Sequence, residues 1–252
     1  MKRFLRTAIL CTSLSAVVLL NTGCVFWRLN QFRSQLSTFS ENFRIEDRDV
    51  PTIVALNPML KPDDLGWLSG LAASETKKQE GRTTEYYRYI KTLHPEDVAE
   101  PGEYDLLIPL HFNADDRLIE IQAPARFGII LTEQNFNEVF GPMMDGTVER
   151  ARQSTGWFWE QHRVNIPTRT DIEYFFGHPT RIEESEAGPK YVYGYLLEGN
   201  DERWNPTGFD VYAEFLFEPE EERVIYSESY KGRLNITVDL REETKRVEIR
   251  RL

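Results

Sequence analysis

The chain has 252 residues, 40% hydrophobic and 28% charged, which gives enough apolar material for one large or two small packed domains and argues against global disorder. Lys and Arg number 30 against 41 Asp and Glu, a formal net charge of −11. Such a field repels phosphate backbones and sets nucleic acid aside as a partner; its ordinary consequence is solubility, and the sharper alternative is an acidic docking face.

Lys2, Arg3 and Arg6 form a positive start, Ala8–Leu20 carries no charge, and Asn21-Thr22-Gly23-Cys24 follows. The apolar run falls short of the about 20 residues that a membrane span needs and has the length of a signal-peptide core. The last four residues resemble a bacterial lipobox, in which small residues precede a cysteine that is acylated after cleavage. Asn21 stands where an aliphatic residue is usual. Residues 1–23 are therefore expected to be a lipoprotein signal peptide, with Cys24 lipidated. The alternative is an uncleaved anchor running from about Ala8 to Trp27. Both put the body outside the cytoplasm, because the positive flank stays inside. Cys11 leaves with the signal, so the body beyond Cys24 holds no thiol for a disulfide or a nucleophile. Val25, rather than aspartate, follows Cys24; resemblance to sorted lipoproteins then implies the periplasmic face of the outer membrane, with inner-membrane anchoring as the alternative.

Residues 24–50 read as a tether. Val25, Leu29, Phe32, Leu36, Phe39 and Phe43 recur at heptad-like spacing, so the segment predicts an amphipathic helix. It packs on its own domain or, in the sharper reading, meets a partner or a membrane surface.

Residues 51–127 form a first unit. Pro62-Asp63-Asp64 opens a short helix with proline and carboxylates in its first turn, and Gly70 ends it. Strands follow: Tyr87 and Tyr89 alternate, and Leu106, Ile108, Leu110 and Phe112 share a face. Pro109 removes a backbone donor and predicts an edge or a bulge. Residues 128–165 read as a helical connection, with Phe136, Val139 and Phe140 before Gly141-Pro142 and a helix over 147–162. The run Trp157-Phe158-Trp159 cannot all point inward from one helix face, which makes these three rings candidates for a binding surface.

Residues 166–252 form a second unit. Thr168 and Asp171 predict a capping box, Ile172 and Phe175 share a helix face, and Gly177 ends the helix. Tyr191, Tyr193 and Tyr195 alternate, then Val211, Ala213, Phe215 and Phe217. Leu234, Ile236 and Val238, with Val247 and Ile249, predict a closing hairpin. Asp64–Gly70 aligns with Asp171–Gly177, and Asp105 with Asp210, at offsets of 105 to 107, so the chain reads as an internal duplication. A carboxylate kept by both copies is expected to bond a strand-start backbone amide rather than to catalyse. The fold expected is α+β: two tandem units of short helices packed on an antiparallel sheet.

The segment Thr168–Thr180, with the tyrosine strand at 191–195 and the Phe-rich strand ending at Phe217, resembles the SmpA/OmlA family of small outer-membrane lipoproteins. The tandem arrangement is similar to the β-lactamase-inhibitory protein architecture. These resemblances imply binding without catalysis: scaffold work in outer-membrane assembly, or inhibition of another protein.

No Gly-rich phosphate loop, HExxH, CxxC or G-x-S-x-G motif occurs. His94, His111, His162 and His178 match no metal-ligand spacing; His111 with Asp115 and Asp116 reads as an ordinary strand and turn. No cofactor or metal is expected. The reading is a lipid-anchored, non-catalytic binding or scaffold protein, held to the membrane by its lipid and bound to an envelope protein. The alternatives are a periplasmic small-ligand or lipid carrier and a carboxylate-based hydrolase.

Overall fold

The computed structural model describes residues 25–251 except 26, 33, 36–37, 97–99, 130, 132–147, 150–153, 161–165, 202–205, 221 and 242–243, with backbone alone for 40, 47, 129, 148–149, 154–160 and 244–251. The proposed signal peptide, Cys24 and the aromatic positions 136–140 lie outside the described residues.

Among the described residues fourteen strands join one antiparallel sheet: β1 Phe43–Asp47, β2 Pro51–Ala55, β3 Glu75–Gln79, β4 Arg82–Thr92, β5 Leu106–Phe112, β6 Leu118–Gln122, β7 Val148–Glu149, β8 Ser154–Glu160, β9 Arg181–Ser185, β10 Gly188–Leu197, β11 Val211–Phe217, β12 Val224–Lys231, β13 Leu234–Asp239 and β14 Thr244–Arg251. The order across the sheet is β1-β2-β6-β5-β4-β10-β11-β12-β13-β14-β8-β7, with β3 beside β4 and β9 beside β10. Among the described residues three short helices accompany it: α1 Phe39–Asn42, α2 Pro62–Ser69 and α3 Arg169–Phe176. Residues 27–32 are also helical.

This architecture corrects the α+β expectation of two helix-on-sheet units. The fold is sheet-dominated, and the sheet does not stop between the units: the ends of β4 and β10 pair directly, from Gly194↔Thr92 to Leu197↔Tyr89. Between the units, Ser154–Glu160 is strand β8 rather than helix, paired with β14 from Ser154↔Arg250 to Glu160↔Thr244. Thr155, Trp157, Phe158 and Trp159 are β-formers, and a partner strand supplies the hydrogen bonds that a helix would have made internally. Pro109 sits where β5 pairs with β4 alone, because β6 joins only from Leu110 onward. The missing donor therefore costs no ladder bond.

The two halves repeat local geometry. Lys61 N and Thr168 N each donate to the carboxylate three residues on, Asp64 at 2.9 Å and Asp171 at 2.8 Å. Leu118 N donates to Leu60 O at 2.8 Å, and Val224 N to Pro167 O at 3.0 Å. The turns after β5 and β11 each hold a left-handed non-glycine residue, Asp116 and Glu222 at φ 55° and 54°. Asp105 accepts from Lys91 N at 3.1 Å, and Asp210 from Leu197 N at 2.7 Å, so both carboxylates satisfy a backbone donor near the end of their strand.

One core lies on the helix side of the sheet. Tyr87, Tyr89, Tyr191, Tyr193, Tyr195, Phe112 and Phe217 are buried there, with Ile172 from α3 and Leu60 and Leu71 flanking α2. Each half also closes over the other's helix. Lys91 donates to Phe176 O at 2.6 Å and to His178 O, and Arg126 donates to Phe175 O at 2.6 Å, placing two cations at the negative end of α3. Gly177 has φ 70°, and a Cβ there would fall 2.6 Å from the Tyr104 ring. In return, Arg233 N donates at 2.8 Å to the carbonyl of Ser69, the last residue of α2, from the turn between β12 and β13.

The segment after Cys24 is part of this body. Leu29 and Phe32 pack on the core, and Arg28 forms a two-pronged pair with Asp64, both contacts at 2.6 Å. Phe43, the last position of the apolar stripe, already begins β1.

Candidate functional face of the sheet

On β11, Val211 and Phe215 pack against the core, so strand alternation turns Tyr212, Glu214 and Leu216 to the opposite face. Register places Tyr212 across from Tyr230, Glu214 from Glu228 and Leu216 from Tyr226. On β10 the same face carries Lys190, Val192, Gly194 and Leu196. A Cβ on Gly194 would come within 2.3 Å of the Phe209 ring, so glycine is what lets Phe209 lie flat on the strand. Phe209 stacks toward Tyr212 with ring centres 6.2 Å apart, and Tyr212 lies 6.1 Å from Tyr230. An aromatic row therefore borders two carboxylates.

Glu214 and Glu228 occupy directly opposed positions, an arrangement that is unfavourable between like charges. Donors compensate. Tyr212 Oη donates to Glu214 at 2.8 Å. Glu228 accepts from Tyr226 Oη at 3.3 Å, Tyr230 Oη at 2.7 Å and Asn235 Nδ2 at 2.9 Å. Lys190 Nζ lies 3.4 Å from Glu214 and 2.7 Å from Glu183. Burial, reinforced by these carboxylates, raises the Tyr226 and Tyr230 phenols to about 12 and moves Tyr212 in the same direction. All three therefore stay protonated and donate at neutral pH. The hydrogen bond from Lys190 holds the Glu183 carboxyl below its ordinary range.

A cation of the chain itself already borders this face. Arg241 lies 4.8 Å from the Tyr226 ring centre while pairing with Asp239. Tyrosine faces and tethered carboxylates together suit guanidinium and ammonium groups.

Trp157, Phe158 and Trp159 sit on β8 at register positions opposite Val247, Arg246 and Lys245, away from Glu214 and Glu228 in strand order; their side chains lie outside the described residues. His111, on β5, has Nδ1 3.0 Å from Thr84 Oγ1, and Asp115 and Asp116 are exposed in the following turn. Among the described residues no three His, Cys, Asp or Glu side chains converge to hold a metal. Nor is any helix among them long and apolar enough to cross a membrane. Tyr87, Tyr89, Tyr191, Tyr193 and Tyr195 belong to the core. Sequence reasoning passed over Tyr212, Glu214, Tyr226, Glu228 and Tyr230. The period-two series Tyr226-x-Glu228-x-Tyr230 is the signal that marks them. Comparison with known proteins finds no matching family model, no matching curated protein and no matching solved structure.

Proposed function

We propose that the protein is a lipid-anchored, non-catalytic binding protein of the bacterial cell envelope, and that it holds an envelope partner through the Tyr/Glu face of β9–β13. The observation that carries this reading is the opposed pair Glu214 and Glu228, the first held by Tyr212 and Lys190 and the second by Tyr226 and Tyr230, on the face of the sheet opposite the main core. The partner presents lysine or arginine to it. The export signal and Cys24 supply the location, the periplasmic face of the outer membrane. The motif at Thr168–Thr180 supplies the likeness to small outer-membrane lipoproteins and their scaffold role in membrane assembly.

The test is photo-crosslinking in intact cells from probes on this face, such as position 226, with and without the Glu214→Gln/Glu228→Gln substitutions. The reading requires a discrete envelope adduct that the double substitution removes. Adducts that persist unchanged, or that arise only from other faces, defeat it. Replacing Cys24 by Ser should move the protein out of the membrane fraction.

One observation favours a second reading as a small-ligand carrier. The hydroxyls of Tyr89, Tyr193 and Tyr195 are buried in the core without a partner among the described residues. Native mass spectrometry of protein purified without detergent would reveal a retained small molecule if that reading holds, and a bare polypeptide mass would count against it.

A further inference from the structure

We infer that residues 27–32 are not a spacer but a membrane-contacting part of the body, with the Trp27 ring seated in the lipid headgroup zone and the protein lying flush on its bilayer. This rests on the lipid-anchor reading and adds where the body sits. Trp27 is 60% exposed, the large side chain nearest Cys24 for which exposure is described. The next residue, Arg28, is clamped to the fully buried Asp64, and Leu29 and Phe32 enter the core. Only Val25 and Phe26 therefore stand between the cysteine and a ring whose backbone is fixed to the fold. Three residues span at most about 11 Å even when extended.

That reach is comparable to the depth of one headgroup layer, about 5–8 Å on each side of a hydrocarbon core about 30 Å thick. Tryptophan favours this layer, since its ring is apolar and its N–H keeps a polar partner. The occupant of this surface is thus a lipid headgroup region, chosen by chain length rather than by shape. A body so short-leashed cannot reach across the periplasm, so a partner of the Tyr/Glu face must itself come to the membrane surface.

Cys24 is the single thiol of the chain from Cys24 to Leu252, so that chain can be coupled directly to maleimide-bearing lipid in phosphatidylcholine vesicles whose acyl chains are brominated near the headgroup. Coupling by this route keeps the test independent of native acylation, which mass spectrometry of the mature N-terminus decides separately. We expect the bromines to quench about one fifth of the tryptophan emission, the share of one ring among the five in the sequence. Trp27→Phe should abolish that loss. A flexible Gly/Ser insert of about 20 residues between Cys24 and Val25 should also diminish it, because the ring then floats free of the headgroups. Equal quenching in the parent and Trp27→Phe proteins, or quenching that survives the insert unchanged, would overturn the inference.

Discussion

Removing Arg28 offers the sharpest test of whether the N-terminal segment is structural. Asp64 has 0% of its side chain exposed and Arg28 14%. Without the guanidinium, Asp64 keeps one remaining donor, Lys61 N at 2.9 Å. Breaking a buried pair by deleting one partner costs about 3–5 kcal/mol, because the other charge is left without compensation. Arg28→Met keeps much of the aliphatic stem and so isolates the charge. For a chain of this size each kcal/mol lowers Tm by about 2–4 °C, so the variant should melt roughly 6–20 °C below the parent. Asp64→Leu alone should cost a similar amount, and the double variant much less than the sum. Urea unfolding of the four proteins gives the coupling, expected at about 2–4 kcal/mol. A coupling below about 0.5 kcal/mol, the level of an exposed ion pair, would refute the argument and free the segment to act as a true tether.

Gly177→Val should cost about 2–5 kcal/mol in chemical unfolding, since it combines a left-handed φ with a collision against Tyr104. Asp210→Ala should lose about 2–4 kcal/mol, leaving Leu197 N and Asn200 Nδ2 without their acceptor in a site that is 1% exposed. Burial raises the Glu85 carboxyl above its ordinary value, so Glu85 favours the fold only while protonated and that contribution fades as pH rises through its folded pKa. Melting curves across pH should accordingly show Glu85→Gln ahead of the parent at neutral pH and level with it in strong acid. In a tyrosinate absorbance titration, Glu228→Gln should bring Tyr226 and Tyr230 only part of the way down from about 12, since burial, the larger cause, remains; an unchanged titration would mean burial alone sets them.

Local structure was legible where a single strand or cap carries its own pattern. The alternation of Leu106, Ile108, Leu110 and Phe112 falls on β5, and Thr168 with Asp171 forms the capping box at the start of α3. The matched positions of Asp105 and Asp210 pointed to a bond with a strand-start amide, whereas the amides they hold, Lys91 N and Leu197 N, stand near the ends of β4 and β10. What failed was long-range. Nothing in the spacing of Trp157-Phe158-Trp159 distinguishes a helix from a strand, and the strand forms because β14, about 90 residues later, supplies a neighbour. Likewise the Gly194↔Thr92 pairing that joins the halves is invisible to any local window. Phe39 and Phe43 kept helical spacing although the second begins β1, since a pattern of four fits the end of one element and the start of another. The Tyr/Glu face was written plainly as Tyr226-x-Glu228-x-Tyr230, but an alternating strand looks the same whether its outer side is idle or engaged.

The crossed closure of the two helices bears on how the molecule comes apart. The cations at the end of α3, Lys91 and Arg126, belong to the N-terminal half, and the backbone donor Arg233 that meets Ser69 at the end of α2 belongs to the C-terminal half. A protease cut between them, followed by separation of the fragments, would strip both helices of their foreign caps at once. Each fragment would also expose a raw strand, β4 or β10, to any passing chain. Such a protein is built to be lost whole rather than trimmed to half size.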